Sequence, residues 1–294
     1  MPGWFGPPAG HRNRYISPDS GWRGRWQDRL ANATGLRRLR RAIMSRLPFM
    51  VLASDVRDIV YANWIVPVGK VAHLVPQGVT LLERDGYTIL TILTYRHGHF
   101  GPAFLGPLRR LFPSPLQSNW RLYLAPDANG GSGTVLFIAN IFDSALYAVG
   151  TRLFSDVLPS HRAARFDHRC TQTSCMMHIG GGGSAPDVRI EAVTEATPIL
   201  PPDFQRFFPS WRQAIQYLTL QHQAVAQVAD EDALVFSDID LPIEPDSATA
   251  LHINHYESGP WLKELGALNA PFCFRVPSVH FKALSEQYRP SRQA

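Results

Sequence analysis

The residues best suited to chemistry lie in residues 116–124, LQSNWRLYL. Side chains alternate along a strand, so Gln117, Asn119, Arg121 and Tyr123 share one face and Ser118, Trp120, Leu122 and Leu124 the other. One face is apolar. The other carries amides, a guanidinium and a phenol in a row. A guanidinium inside a cavity suits a carboxylate, which it holds with two parallel hydrogen bonds. Arg121 is therefore the first candidate ligand-binding residue, flanked by Asn119 and Tyr123. The competing assignment pairs Arg121 with an internal carboxylate such as Glu83 or Asp143, as a brace for the sheet. Arg165 repeats the pattern, alternating with His161, Ala163 and Asp167, which makes Arg165 and His161 further ligand candidates.

Tyr95 and His97 share a face near the end of another predicted strand. Tyr95 joins the ligand set, and His97 is the candidate general acid or base. His97-x-His99 has metal-binding spacing, but no third ligand is evident. Cys170, Cys175 and His178 form C-x4-C-x2-H without the second pair that a zinc site needs. The two cysteines can oppose each other across a hairpin, although structural thiols are the default. No metal and no cofactor are expected. Residues 180–183 are four glycines with no Lys-Ser/Thr after them, so they read as a linker rather than a phosphate cradle. No G-x-S-x-G elbow occurs.

The elements that must position these residues belong to a 294-residue chain with 45% hydrophobic and 18% charged residues, ordinary for a globular protein. Charge is uneven. Residues 1–46 hold ten arginines against Asp19 and Asp28, a net of +8, and the remainder carries a net of −3. Residues 1–34 read as a mostly disordered arm. Leu36, Leu39, Ile43 and Leu47 then fall at helical spacing between arginines, a basic amphipathic helix. Such a helix either meets an anionic surface through residues 12–46 or packs its apolar stripe on the body and leaves its arginines in water. No motif for reading a specific nucleic acid accompanies the charge. No apolar run is long enough to span a membrane, and three cysteines in so long a chain fit a reducing cytoplasm.

The body, residues 48–281, shows nine or ten strands joined by short turns and three or four helices. Arg84-Asp85-Gly86 marks a tight hairpin. Residues 98–115 form a long loop with the character of a lid. Ser210 and Gln213 form a capping box that opens a helix running to about Ala229. Residues 282–294 read as a polar tail. Short connections favour antiparallel pairing, and so many strands favour a curled sheet or barrel. The expected class is α+β, mainly antiparallel β, a strongly bent sheet or barrel around a central cavity.

The order of parts resembles the YqjF-like proteins, a family without an assigned activity that is allied to acetoacetate decarboxylase. The resemblance rests on Asn63-Trp64-Ile65-Val66-Pro67, Leu74-Val75-Pro76-Gln77-Gly78-Val79, Asp85-Gly86-Tyr87, Asn119-Trp120-Arg121-Leu122-Tyr123, Ser210-Trp211 with Gln216-Tyr217-Leu218, and Ile239-Asp240-Leu241-Pro242. It covers residues 48–256 and implies a bent antiparallel sheet closing on a cavity. The decarboxylase branch forms a Schiff base on a lysine in a Pro-Lys-Lys run. The matching stretch here, Leu158-Pro159-Ser160-His161-Arg162, has none. The three lysines, Lys70, Lys263 and Lys282, sit on predicted surface helices or in the tail. The expected function is that of a small-molecule-binding or cryptic enzyme domain with a cavity for a small organic acid or carbonyl compound, without Schiff-base chemistry. The alternative is an interaction protein recruited through its basic arm.

Overall fold

The computed structural model describes residues 13–126 and 133–290. Its strands are β1 (Leu52–Pro67), β2 (Tyr87–Arg96), β3 (Gly101–Pro102), β4 (Leu116–Tyr123), β5 (Thr134–Phe142), β6 (Ser160–Arg162), β7 (Arg165–Cys170), β8 (Ser174–Gly180), β9 (Val188–Thr194), β10 (Gln223–Gln227), β11 (Ala233–Asp240), β12 (Thr249–Ser258), β13 (Phe272–Val276), β14 (Val279–Ala283) and β15 (Gln287–Pro290). The α-helices are α1 (Gly21–Ala31), α2 (Thr34–Met44), α3 (Val68–Val71), α4 (Ala145–Phe154), α5 (Trp211–Thr219) and α6 (Pro260–Glu264).

Seven strands close on themselves in the order β1-β2-β4-β5-β10-β11-β14, with β14 returning to β1. The β5–β10 pair is parallel and the other pairs antiparallel. Closure removes free sheet edges, the general solution for a body this rich in strands. The long strand β1 serves two sheets. Its first residues pair with β14, and Ile59–Asn63 pair with β13, which leads through β12, β9 and β8 to β7. A register shift between Arg57 and Val60, with Asp58 at φ 55°, supplies the bend.

Alternation along the barrel strands separates two cores. One contains Tyr61, Leu93, Tyr123, Val135, Ala224 and Val235, with Phe281 packed against it, so it draws on all seven barrel strands and is the interior. Ile215 and Leu218 of α5 enter it. The other places Trp64, Ile92, Trp120 and Ile141 of the barrel wall against Met177 and Ile190 of the second sheet. The two faces read in residues 116–124 thus point into the barrel and toward the second sheet. Trp120 stacks on Trp261 at 5.3 Å between ring centroids. Trp120→Ala is expected to cost about 3–5 kcal/mol in chemical denaturation.

Several expectations are corrected. Residues 13–47 are ordered as two helices docked on the body, because residues 16–18 seat on the four-glycine loop and α2 meets acidic side chains. Gly183 has φ 62°, and a Cβ there would lie 2.1 Å from the Ile16 carbonyl. The loop is a seat, not a linker. Gly183→Ala is expected to loosen the arm, seen as faster amide exchange across residues 15–31 with the barrel unchanged.

The helix opened by Ser210, whose Oγ accepts from Gln213 N–H at 3.3 Å, stops at Thr219. The chain beyond it becomes β10, because His222 and Gln223 donate to the Gly133 carbonyl and Ala224 and Ala226 alternate into the barrel. The presumed tail after residue 281 completes β14 and supplies β15, so Lys282 lies on a barrel strand. The long loop at 98–115 contains β3 and a 3-10 stretch, Ala103–Leu111. Cys170 and Cys175 face each other across the β7–β8 turn, Cα atoms 4.1 Å apart, and are joined as a disulfide rather than held as thiols. The Asp85-Gly86 turn matches its reading, with φ positive at both residues.

Candidate functional site

The interior face of β4 carries Gln117, Asn119, Arg121 and Tyr123, all buried. Its neighbours add Thr91, Tyr95 and His97 from β2 and its end, and Tyr61 and Asn63 from β1. Asn140 of β5 joins them through a bulge. Trp120 pairs with Ala139 but Arg121 with Phe137, so Ile138 is the extra residue. Val135 and Phe137 face inward. Without the inserted residue the alternation would turn Asn140 outward; with it, Asn140 lies opposite Asn119.

Two hydrogen-bonded runs line this wall. In the first, His97 Nδ1 meets Ser54 Oγ at 2.8 Å and Nε2 meets Gln117 Oε1 at 2.6 Å. Gln117 Nε2 and Asn119 Nδ2 both donate to Asn140 Oδ1, at 2.8 and 2.9 Å. An amide oxygen only accepts, so Nε2 of His97 carries the proton and Nδ1 accepts from Ser54. In the second run, Arg121 Nη2 donates to Tyr123 Oη at 3.2 Å and to the Leu218 carbonyl at 3.0 Å. Tyr123 Oη also donates to Leu218 O at 3.0 Å. Thr91 links Tyr123 to Asn63, and Asn63 donates to the Phe272 carbonyl.

Leu218 lies in the last turn of α5, whose carbonyls form the negative end of the helix dipole. The sequence thus supplies a carbonyl where a bracing carboxylate was the competing expectation. Arg121 also stands 5.4 Å from each of the Tyr61 and Tyr123 ring centroids. Burial opposes its charge, but the Tyr123 and Tyr61 oxygens outweigh burial and hold the guanidinium above its ordinary range. Burial pushes Tyr61 up to about 12 and raises Tyr95 as well, so both phenols are neutral. Between the two runs lie buried polar atoms without a well-formed hydrogen bond: Arg121 Nε, Tyr61 Oη, Asn119 Oδ1 and Asn140 Nδ2. This group offers a fixed cation, a neutral donor and an acceptor side by side.

His97 is buried and stacks on Phe100 at 4.3 Å. Desolvation pulls its imidazole down to about 4, against the opposing hydrogen bond to Gln117. It is a neutral relay at pH 7. The other candidates lie elsewhere. His161 is buried against Ser184 Oγ at 2.7 Å, and desolvation and then the Arg152 charge pull it down to about 3. Arg165 is exposed and ion-paired with Asp167 at 2.5 Å. The structure therefore brings Arg121, Asn119, Tyr123, Tyr95 and His97 to one wall and leaves Arg165 and His161 outside it. His99, at φ 54°, is not part of that wall, and among the described residues no group of three or more His, Cys, Asp or Glu side chains is placed to hold a metal. Lys70 and Lys263 are exposed, and Lys282 alternates with the inward Phe281.

His97 and His161, like the buried His168, bind a proton more readily unfolded, near 6.5, than folded. Stability contributed by their neutral forms is present above pH 6.5 and is lost as pH falls toward 4 and below, each unit of depression being worth about 1.4 kcal/mol. The melting temperature is expected to drop across that window, and His97→Gln to flatten the drop. A profile unaltered by the substitution would contradict the assignment.

Sequence reasoning missed Tyr61, Asn63, Thr91 and Asn140. Tyr61 and Asn63 were recoverable from their alternation with Ala62 and Trp64. Asn140 was not, because its orientation depends on the bulge.

The family model of DUF2071, described as Uncharacterized conserved protein (COG2071), matches residues 54–208. The chain belongs to the DUF2071 family. All the wall side chains lie within the matched segment, while the Leu218 and Phe272 carbonyls that they meet lie beyond it. No curated protein matches the chain. Among solved structures, the enduracididine biosynthesis enzyme MppR complexed with pyruvate is similar at TM-score 0.54 and 11% identity, covering 82% of this chain and 90% of its own. Acetoacetate decarboxylase from Legionella pneumophila subsp. pneumophila str. Philadelphia 1 is similar at TM-score 0.52 and 11% identity, covering 83% and 86%. At these identities the likeness establishes the fold: this DUF2071 chain has an acetoacetate decarboxylase-like barrel. Among its described residues no helix is long and apolar enough to cross a membrane.

Proposed function

We propose that the barrel of this DUF2071 protein binds a small organic acid, with the carboxylate on Arg121 and the rest of the molecule among Asn119, Tyr123, Tyr61 and Tyr95. One observation carries the reading: Arg121 is a fully buried cation whose hydrogen-bond partners among the described residues are neutral oxygens. A buried charge is costly unless paired, and a guanidinium is matched best by a carboxylate. Asn119 and Tyr61 suit a keto or hydroxyl oxygen beside the acid. Pyruvate, with which MppR is complexed in its solved structure, is a reasonable first probe.

The reading separates this barrel from amine catalysis. With no lysine on the interior wall among the described residues, borohydride reduction in the presence of pyruvate is expected to leave the protein mass unchanged. A covalent adduct on any lysine would overturn that part. Binding is tested by thermal shift with pyruvate and other small carboxylic acids beside their neutral amides. Ligand at a hundred times its dissociation constant adds about 2.7 kcal/mol. Acids are expected to raise the melting temperature and amides to leave it unchanged; equal shifts from both would remove Arg121 from the explanation.

A further inference from the structure

The helix α2 docks with the face opposite to the one its amphipathic pattern suggests. Arg37, Arg40 and Arg41 point inward and Leu36, Leu39 and Ile43 point out. The inward arginines meet a ring of carboxylates drawn from distant loops. Arg41 reaches Asp230 and Glu231 at 2.7 Å and Asp156 at 3.1 Å. Arg40 reaches Asp156 at 2.6 Å and Glu286 at 3.3 Å, and Arg37 approaches Asp230 at 3.8 Å. These arginines are spent inside the fold and cannot reach a partner.

What faces outward is apolar. Leu36, Leu39, Ile43 and Leu47 are 45, 58, 50 and 55% exposed, and Met50 follows at 44%. A helix whose charged side is already neutralised by its own body has no internal reason to keep four large apolar side chains on the other. Two residues upstream, α1 exposes Trp22 and Trp26, at 63 and 54%, among the exposed Arg23, Arg25 and Arg29. Arg46 is the exposed charge just after α2, while Arg38, though exposed, is paired at 3.7 Å with Asp230 and 3.6 Å with Glu231. The two carboxylates of the segment are occupied: Asp19 binds Arg162 and Gln27, and Asp28 accepts from Ser17 N–H. Every free charge on the outer side of these helices is positive. A second copy of the chain would set cation against cation. The complementary occupant is apolar in depth and anionic at its surface, and indoles beside arginines suit the headgroup boundary.

We propose that the outward face of α2, with the indoles of α1, docks on an anionic lipid surface. The face is preformed: α2 stays clamped to the body by its arginines, and the barrel is carried to the membrane without unfolding the arm. This inference is independent of the ligand held at Arg121.

The test is co-sedimentation of the full chain with phosphatidylcholine vesicles with and without phosphatidylglycerol. Binding is expected only with phosphatidylglycerol, weakened by added salt. The double variant Leu39→Asp/Ile43→Asp is expected to lose more than about tenfold in vesicle partition. Both positions are exposed, so its circular dichroism and melting temperature should match wild type. Arg46→Glu is expected to weaken binding less. Wild type remaining in solution beside phosphatidylglycerol vesicles would overturn the proposal in favour of an acidic protein partner, and a folded double variant that sediments like wild type would overturn it as well.

Discussion

Arg121→Met is expected to weaken organic-acid binding roughly a hundredfold while leaving the barrel as stable as wild type or more so. Methionine has a similar reach and no charge, and exchanging a buried ion for an apolar side chain of like volume is often neutral or stabilising. The groups that Arg121 touches survive its loss, since Tyr123 still donates to the Leu218 carbonyl. The ligand carboxylate loses a charge-assisted pair, worth about 3 kcal/mol or roughly a hundredfold in affinity. This combination separates a binding arginine from a brace. A brace predicts the opposite, a large loss of stability. Urea denaturation and titration with pyruvate on the same preparation decide between them, and a variant that unfolds readily yet binds normally would sink the assignment.

The second large effect belongs to Asp230. Its carboxylate faces Arg41, Arg37 and Arg38 and is almost fully buried. Burial works to raise its pKa, but the Arg41 hydrogen bond and the arginine charges outweigh burial and hold it below the usual carboxylate range. Asp230→Ala leaves buried guanidiniums short of a counter-charge, a loss of about 3 kcal/mol. The arm should then detach and expose Arg37, Arg40 and Arg41 to trypsin, which the docked helix protects. The pH dependence has the same origin. A carboxylate depressed in the folded state stabilises above its unfolded pKa and loses that contribution as pH falls through the folded value. Docking of α2 is therefore expected to hold at neutral pH and fail in acid. Limited proteolysis of Asp230→Ala that matched wild type would contradict this account of the arm.

The parts legible in the sequence were those governed by local period. The alternation around Arg121 needs only the two-residue repeat of a strand, and it places Arg121, Asn119 and Tyr123 inward as read. The Asp85-Gly86 turn follows from residues that tolerate positive φ. The parts that were illegible depend on partners far along the chain. Nothing in residues 34–44 announces that their arginines will meet Asp156, Asp230, Glu231 and Glu286, so the helix pattern was sound and its docked side was not. Residues 220–229 are as compatible with a helix as with a strand until pairing with β5 decides. The burial of His97 was illegible because its cover, Ser54, Gln117 and Phe100, comes from three different segments.

The most direct test of the central claim is the Arg121 Nε–H resonance in a nitrogen-15 spectrum, assigned by its loss in Arg121→Met. In the structure this proton is buried and without a hydrogen bond. With pyruvate, and not with its neutral amide, it is expected to move as the carboxylate engages the guanidinium. A resonance that stays fixed at saturating pyruvate, while other signals report binding, would place the acid elsewhere and return Arg121 to a structural role.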